Sequence, residues 1–451
     1  MSVQTATVLP SLRDSIGDAD LLPSTEVLGY DPSSLRDFEE AAVGASSTKV
    51  SSSFQSSSLC AGCSLWLFPL RLFHFCQSFS RRQSRKRASR FRRQRSIVLW
   101  SVIAFVALQL GLTLARESLL PELRDPAFGA KIKHLHERAV QAGRSCTTVV
   151  MLGSSRTMFG FRGKLLEEQL QGLQGQAAVI FNLGIYGSGP VSELLHLRSL
   201  LARGIRPDLL LVEVAPMFLD DQTEREELGR LPADRLGRDE VPVVERYSGR
   251  LDASLRADWW QAAAVPIYAH RLVILSELLP VMVPGPMRVE CCGGMDDSGW
   301  LALRLSPQVL TPVTRRRALE GLRAEWGPAL GRLTASGKGM QALRELLTLG
   351  RQANLRMALV LMPEGPCLRS CYSPVTWEPV YVALEDMSRE FDSPLVNARD
   401  WVAEEHFTDS HHLLPAGATV FSERLGREFI QPILRAQQIG SPANLLSLHD
   451  R

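Results

Sequence analysis

Short apolar runs rich in β-branched residues alternate with amphipathic stretches over most of the chain beyond residue 146. Apolar runs of this length, bounded by turn residues, are typical of strands that are buried on both faces of a sheet. Five of them predict strands, at residues 147–153, 177–184, 207–216, 356–363 and 393–398. Helical patterns occur at 161–171, 192–203, 315–334, 338–353 and 415–436. Alternating strands and helices predict right-handed βαβ units, and therefore an α/β domain with a parallel sheet.

The alternation lapses between residues 220 and 300. This part of the chain is charged at first and then apolar and helical, with Trp259, Trp260 and the run RLVILSELLPVMV at 271–283. The run contains Glu277 and is too short to cross a bilayer. We therefore predict an insertion that caps the edge of the sheet.

A different pattern lies before the domain, where residues 97–115 form nineteen consecutive positions without a charge. At ~1.5 Å per residue, a helix of this length matches the ~30 Å hydrocarbon core of a membrane. Nine Lys and Arg residues lie between Arg81 and Arg95, and basic flanks stay on the cytoplasmic side. The pattern predicts one transmembrane helix with the carboxyl domain outside the cytoplasm. The alternatives are a buried core helix and a cleaved signal peptide, whose apolar core is usually ~7–15 residues long.

Charge is distributed unevenly between the two sides of this segment. Residues 1–95 hold 13 Lys/Arg and 8 Asp/Glu, whereas residues 116–451 hold 38 and 40. The main domain therefore lacks the basic surface of a nucleic-acid-binding protein. The first 80 residues are rich in Ser and bury too little apolar area to offset chain entropy. We predict a disordered basic cytoplasmic tail (1–96), the transmembrane helix (97–115), a helical linker (116–145), a domain (146–436) with an insertion (220–300), and a flexible tail (437–451).

Eight cysteines flank the apolar segment, three before it and five after it. Cys60 and Cys63 have the spacing of a metal or redox motif, but without a second pair they favour an incidental occurrence. The other five cannot all pair with one another, and the sequence leaves their pairing open: Cys146, Cys291, Cys292, Cys367 and Cys371. The chain contains no H-E-x-x-H motif and no P-loop, so we predict neither a metal nor a cofactor.

Polar residues that are able to carry out chemistry follow the predicted strands, where the active sites of parallel sheets collect. Ser155 stands at a strand-to-helix turn in the sequence GSSR, where a hydroxyl can be presented at the edge of the sheet. The second strand runs into Asn182-Leu-Gly-Ile-Tyr-Gly187. Asp409 lies three residues before His412, a spacing that allows the carboxylate to orient the ring and the ring to activate a serine. Each residue also has a structural alternative, such as a helix cap, a turn or a solvated loop.

Together these motifs resemble the SGNH/GDSL hydrolase superfamily. Its GDS motif is similar to Gly153-Ser154-Ser155, its N-x-x-x-x-G motif to Asn182–Gly187, and its D-x-x-H motif to Asp409–His412, in the same order. The GSSR variant and the apolar anchor resemble a membrane-anchored branch that includes polysaccharide O-acetyltransferase relatives and D-alanine transfer proteins. The resemblance implies a three-layer parallel-sheet fold.

The resemblance also implies a catalytic role for each matching residue. Ser155 is expected to be the nucleophile, His412 its base and Asp409 the residue that orients the base. The amides of Ser155 and Gly187 are expected to bind the oxyanion. His411 has the wrong spacing from Asp409 and is expected to be dispensable.

Two residues, Arg156 and Asn182, are predicted to bind substrate. An alternative for Arg156 is an ion pair with an acidic neighbour. The third motif of the superfamily places an Asn after the third strand, where this chain has Met217. Methionine cannot donate a hydrogen bond, and the loss of one such oxyanion donor typically costs ~10²–10³ in rate.

The expected protein is therefore a membrane-anchored extracytoplasmic serine esterase or O-acyltransferase that acts on acyl esters. The resemblance favours an acylated glycan of the cell envelope or a secreted polysaccharide as the substrate. The alternative is a catalytically inactive binding or scaffold subunit of an envelope assembly, which the Met217 substitution favours.

Overall fold

The computed structural model describes residues 73–115, 124–143, 146–174, 178–219, 224–229, 231–248, 252–284, 294–303 and 311–439. The described residues fall into two units, one that ends at Leu114 and one that contains everything beyond it. The strands are β1 (Thr147–Gly153), β2 (Ala178–Gly184), β3 (Leu209–Val214), β4 (Met357–Leu361) and β5 (Leu395–Asn397).

The helices are α1 (Phe73–Leu114), α2 (Pro126–Ala142), α3 (Ser155–Gly160), α4 (Gly163–Gln174), α5 (Pro190–Ala202), α6 (Glu224–Gly229), α7 (Val241–Ser248), α8 (Asp252–Ala264), α9 (Pro266–Ala269), α10 (Arg271–Leu278), α11 (Pro312–Leu330), α12 (Lys338–Gln352), α13 (Pro366–Arg369), α14 (Pro374–Phe391), α15 (Pro415–Leu425) and α16 (Gln431–Ile439).

The first unit contains a 42-residue helix, α1. Its part Gln94–Leu114 is 21 residues long and is apolar enough to cross a membrane, in agreement with the predicted span. The helix begins at Phe73, so residues 73–96 of the predicted disordered tail are helical. Residues 1–72, with Cys60 and Cys63, lie outside the described residues.

The second unit is built on a parallel sheet that contains all five predicted strands, in the order β2-β1-β3-β4-β5. Strand β1 lies between β2 and β3, and its Val149 is opposite Ile180 of β2 and Leu209 of β3. Side chains alternate between the two faces of the sheet, so Val150 joins one apolar cluster and Val149 the other. Because helices cover both faces, the strands are apolar at almost every position. The predicted three-layer α/β architecture is confirmed.

Helix α2 packs on the sheet, although its residues fall in the predicted linker. Phe128, Ile132 and Leu135 follow one another at helical spacing and are buried in the core. Lys131 Nζ donates to the carbonyl oxygens of Asn182, Gly184 and Gly299 at 3.2, 2.9 and 2.8 Å. The domain therefore begins before residue 146, because α2 shares its core. The pattern at 116–145 gave no sign of this.

The insertion contacts the sheet domain at both of its ends. At the far end, the Ser298 carbonyl accepts a hydrogen bond from the amide of Asn182 in the edge strand β2, at 2.7 Å. This contact covers backbone groups that an edge strand otherwise exposes. At the near end, the buried Glu227 side chain reaches the first turn of α5. Its Oε1 accepts from the amides of Gly189 and Ser192 and from the Ser192 hydroxyl, at 3.1, 2.7 and 2.8 Å.

We expect Glu227 to make the stability of this domain depend on pH. Burial raises the pKa of Glu227 from 4.5 to about 7, against the opposing effect of its hydrogen bonds to Ser192. Between these values the folded state holds a proton that the unfolded chain releases, so the free energy of unfolding falls as the pH rises. The 3.5 Å contact of Oε2 with the Val191 amide is the weakest of the set, which leaves that oxygen available for the proton.

Glu227→Gln imitates the protonated acid and should remove this dependence. At pH 5, just above the usual pKa of 4.5, the variant should be only slightly more stable than the wild type, whereas at pH 8 the difference should reach about 3 kcal/mol, the value of a shift of this size. Urea unfolding at the two pH values measures the difference. Burial and then Glu213 raise the pKa of Glu193 in both proteins, and the variant removes only the last cause, the charge of Glu227. A difference that does not change between pH 5 and pH 8 would contradict the expectation.

Candidate active site

The turn after β1 presents Ser155 at the amino-terminal end of α3. Ser154 is the helix cap, and its Oγ accepts a hydrogen bond from the amide of Arg156 at 3.1 Å. The capping role proposed above as an alternative for Ser155 is therefore filled by its neighbour. The Ser155 hydroxyl is 2.8 Å from Nε2 of His412.

His412 is held between Ser155 and Asp409. Its Nδ1 is 2.7 Å from Asp409 Oδ2. Burial opposes ionisation of Asp409, but the imidazoles of His411 and His412 and the hydrogen bonds from His412 outweigh it and hold its pKa well below the usual range. An ionised carboxylate only accepts, so the ring carries its proton on Nδ1. Nε2 is then an acceptor for the Ser155 hydroxyl, as a general base must be.

A tight turn explains why three residues separate Asp409 from His412. Asp409 Oδ1 accepts from the amides of His411 and His412 at 3.2 and 2.8 Å. Ser410 between them has a left-handed backbone, with φ +70°. The carboxylate thus holds the backbone of the same residue whose ring it orients, and the turn fixes the ring towards Ser155.

Two residues that line the cleft, Ser155 and Gly187, have backbone amides without a hydrogen-bond acceptor among the described residues. The Ser155 amide is at the start of a helix, where N–H groups lack acceptors and favour negative charge. The Gly187 amide belongs to the turn after β2, where φ is +72°. Neither donates to any group in the part of the chain that the structure describes. Met217 lines the same cleft and supplies no third donor.

Glu213 of β3 supports the nucleophile turn, a role that the sequence motifs did not reveal. Its Oε2 accepts from the Ser154 amide and from the Thr157 amide and hydroxyl, at 2.8, 3.2 and 2.6 Å. Its Oε1 accepts from the Ser154 hydroxyl at 2.8 Å. A side chain on Gly153 would place a Cβ 2.4 Å from Oε2, so this position requires glycine. The available signal was an acidic residue inside the buried apolar strand LLLVEV, which needs polar partners.

Asn182 binds the backbone of the nucleophile helix and lies away from the cleft. Its amide group donates to the carbonyls of Thr157 and Phe161, each at 2.7 Å, and its Oδ1 accepts from Gly184. The side chain is fully buried, and its hydrogen-bonding groups are used within the fold. The predicted contact with substrate is therefore replaced by a structural role.

Arg156 forms an ion pair with an acidic residue, Glu364, which is the alternative given above for its role. Its Nη2 donates to the carbonyls of Met362 and Pro363 at 3.0 and 3.1 Å and lies 3.4 Å from Glu364 Oε1. The opposite oxygen of Glu364 binds Arg399 Nε at 2.6 Å. Arg156 is also a lining residue of the cleft, so its predicted contact with substrate remains a prediction.

The cleft around Ser155 encloses about 300 Å³ of space, which includes the solvent at its mouth. Its apolar lining residues, Met217, Phe218 and Trp326, are called the apolar wall below. His411 and His412 also line the cleft, and their ring centres are 3.9 Å apart. The residue predicted to be dispensable, His411, thus lies beside the predicted base.

A metal ion bound by Asp409, His411 and His412 would disrupt the hydrogen bonds that connect Ser155, His412 and Asp409. Asp409, His411 and His412 each offer one ligand atom within 4.8 Å of the others. The carboxylate already accepts from His412 Nδ1, so a bound ion would take Asp409 away from the ring that it orients.

Away from the cleft, three cysteines are free thiols: Cys146, Cys367 and Cys371. Cys291 and Cys292 lie outside the described residues.

No protein-family model matches this chain, and no curated protein matches it significantly. Among solved structures, a mutant of the esterase AlinE4 is 12% identical, with 56% of this chain and 76% of that chain covered and a TM-score of 0.26. A lipase/acylhydrolase from Enterococcus faecalis is 10% identical, with 62% and 94% covered and a TM-score of 0.29. The acetylxylan esterase Axe2 from Geobacillus stearothermophilus is 13% identical, with 62% and 93% covered and a TM-score of 0.27.

These similar structures are esterases and an acylhydrolase by their names, the class of protein that the sequence motifs resemble. Identities this low leave the chemistry to be derived from the residues of this chain. The hydrogen bonds from Ser155 to His412 and from His412 to Asp409 are the observations from which it can be derived.

Proposed function

We propose that this protein is a serine esterase or O-acyltransferase of the SGNH type, anchored to a membrane by α1. The observation that carries the proposal is the continuous set of hydrogen bonds from the Ser155 hydroxyl through His412 to Asp409, at 2.8 and 2.7 Å. These distances are those that nucleophilic catalysis requires of a serine, its base and the residue that orients the base.

The geometry supports a two-step reaction. Ser155 Oγ attacks the carbonyl carbon of an acyl ester while His412 Nε2 takes its proton. The carbonyl oxygen becomes an oxyanion that the amides of Ser155 and Gly187 stabilise. His412 then gives the proton to the leaving alcohol, and the acyl group remains on Ser155. Water or an alcohol attacks this acyl-enzyme in the same way, which yields hydrolysis or transfer.

We infer that the acyl group occupies the apolar wall of the cleft. Met217, Phe218 and Trp326 offer it no charge, and the leaving oxygen must lie on the other side, next to His412. The resemblance to polysaccharide O-acetylation proteins supports an acylated glycan as the substrate. It also supports placing the domain outside the cytoplasm, together with the basic residues that precede the apolar segment.

A fluorophosphonate probe tests the nucleophile directly, because it reacts only with a serine that a neighbouring base activates. The full chain in detergent should be labelled on Ser155, and Ser155→Ala should abolish the label. The exposed Ser370, whose hydroxyl donates to the Cys367 carbonyl, provides a matched control, since Ser370→Ala should leave labelling unchanged. Labelling that persists in Ser155→Ala would overturn the assignment.

An inactive binding or scaffold subunit is the second candidate, and Met217 is the observation that favours it. With two oxyanion donors in place of three, the rate can be lower by ~10²–10³. A folded wild-type protein that the probe does not label would support this candidate.

A reporter fused after Arg451 tests the proposed orientation in the membrane. The reporter should be active outside the cytoplasm, and activity only inside the cytoplasm would contradict the orientation.

A further inference from the structure

His411 forms part of the cleft wall beside the catalytic base. Its side chain is 11% exposed, and its ring centre is 3.9 Å from that of His412. Its Nδ1 lies 3.2 Å from Asp409 Oδ1 and 3.4 Å from the Asp409 carbonyl oxygen. The D-x-x-H pattern gave this residue no role, yet its ring shares the carboxylate with His412.

The surroundings of His411 determine where its proton lies. Burial lowers the pKa of His411 to about 3, and the nearby Arg156 and His412 lower it as well, against the attraction of Asp409. The ring is therefore neutral near neutral pH and carries one proton. Both oxygens next to Nδ1 are acceptors, so that proton lies on Nδ1. Nε2, on the opposite edge of the ring, is left as an acceptor, and it bonds to no residue in the described part of the chain.

The reaction itself brings an alcohol to this place. The leaving oxygen of the donor ester and the attacking oxygen of an acceptor both exchange a proton with His412 Nε2. Each must therefore lie within hydrogen-bond distance of that atom. The proposed place of the acyl group beside Met217, Phe218 and Trp326 leaves the part of the cleft that His411 lines for the substituents on the alcohol carbon.

We propose that His411 Nε2 is a subsite for a second hydroxyl, on the carbon next to the reacting one, so that the site selects vicinal diols as acyl acceptors. In the transfer step the bond between the acyl carbon and Ser155 Oγ breaks, and a bond to the diol oxygen forms. The proton of the attacking hydroxyl passes to His412 Nε2 and then to Ser155 Oγ. The second hydroxyl stays intact and donates to His411 Nε2. This inference rests on the proposed function and specifies its acceptor.

Acceptor competition on the full chain in detergent tests the subsite. With p-nitrophenyl acetate as donor, the wild type should transfer acetyl to ethylene glycol three- to tenfold better than to ethanol, per hydroxyl group. This factor is what one neutral hydrogen bond of ~0.5–1.5 kcal/mol contributes. His411→Phe should lose the preference, measured as the ratio of the two transfer rates, because a loss shared by hydrolysis and both transfers leaves that ratio unchanged. His411→Gln, whose side-chain oxygen also accepts, should recover part of the preference.

Four other outcomes overturn the inference. An unchanged diol preference in His411→Phe shows that the second hydroxyl binds elsewhere. An equal loss of hydrolysis and of both transfers shows that His411 acts only by holding Asp409 and His412. If the wild type hydrolyses the ester but acylates neither alcohol, the proposed acceptor subsite is wrong, whereas the proposed esterase activity is still supported. A wild type that neither hydrolyses the ester nor reacts with the fluorophosphonate probe removes the proposed function, and this inference with it.

Discussion

Ser155→Ala and His412→Ala should each lower kcat for ester hydrolysis by roughly 10⁴–10⁶, and the double variant should be no worse than either single one. A serine hydroxyl is a weak nucleophile until a base takes its proton, and the base has nothing to activate once the serine is gone. The 2.8 Å contact between the two side chains is the physical reason for this non-additivity.

Asp409→Asn should leave more residual rate than Ser155→Ala, because Asp409 only orients His412 and stabilises its charged form. Steady-state hydrolysis of p-nitrophenyl acetate by the four variants measures these losses. Ser370→Ala is the control: Ser370 does not line the cleft and its hydroxyl donates to the Cys367 carbonyl, so this variant should remain close to the wild type in hydrolysis. Losses that multiply in the double variant would show that Ser155 and His412 do not act in one step.

Glu213→Leu should destabilise the domain by about 3–5 kcal/mol, one of the largest effects of a single substitution in this chain. The change keeps the volume of the side chain but leaves the donors of Ser154 and Thr157 without an acceptor in the core. It also removes a carboxylate that lies 4.0 Å from the buried Arg156 guanidinium.

Urea unfolding of the full chain in detergent measures the loss. Glu428→Leu is the control, since Glu428 forms a surface pair with Arg424 and its replacement should leave the free energy of unfolding nearly unchanged. Glu213→Gln keeps one acceptor oxygen and should lower stability less while kcat falls about tenfold, with KM unchanged, because the Ser155 turn shifts. A Glu213→Leu variant as stable as Glu428→Leu would contradict the role of this carboxylate.

The sequence predicted those features whose causes are local. Strands β1 to β4 are buried on both faces, so their apolar composition alone was enough to predict them. The three motifs at the strand ends were visible because turns require particular residues at particular spacings, as Asp409 and His412 show.

Features that depend on distant partners could not be predicted in this way. Helix α2 looked like a linker because only the fold shows that Phe128 and Ile132 meet the sheet. Asn182 looked like a substrate-binding residue until its side chain was seen to hold the carbonyls of Thr157 and Phe161. Glu213 is 59 residues from Ser154, and no spacing rule connects them.

The contact between Glu227 and the start of α5 limits how this protein can be engineered. A protein engineer who wishes to widen access to the cleft would first shorten the segment 220–300. That deletion would also remove the carboxylate that binds the amides of Gly189 and Ser192, which lie two and five residues beyond Gly187, the proposed oxyanion donor. Trimming should therefore begin beyond Gly229, so that α6 is retained as a brace for the oxyanion turn.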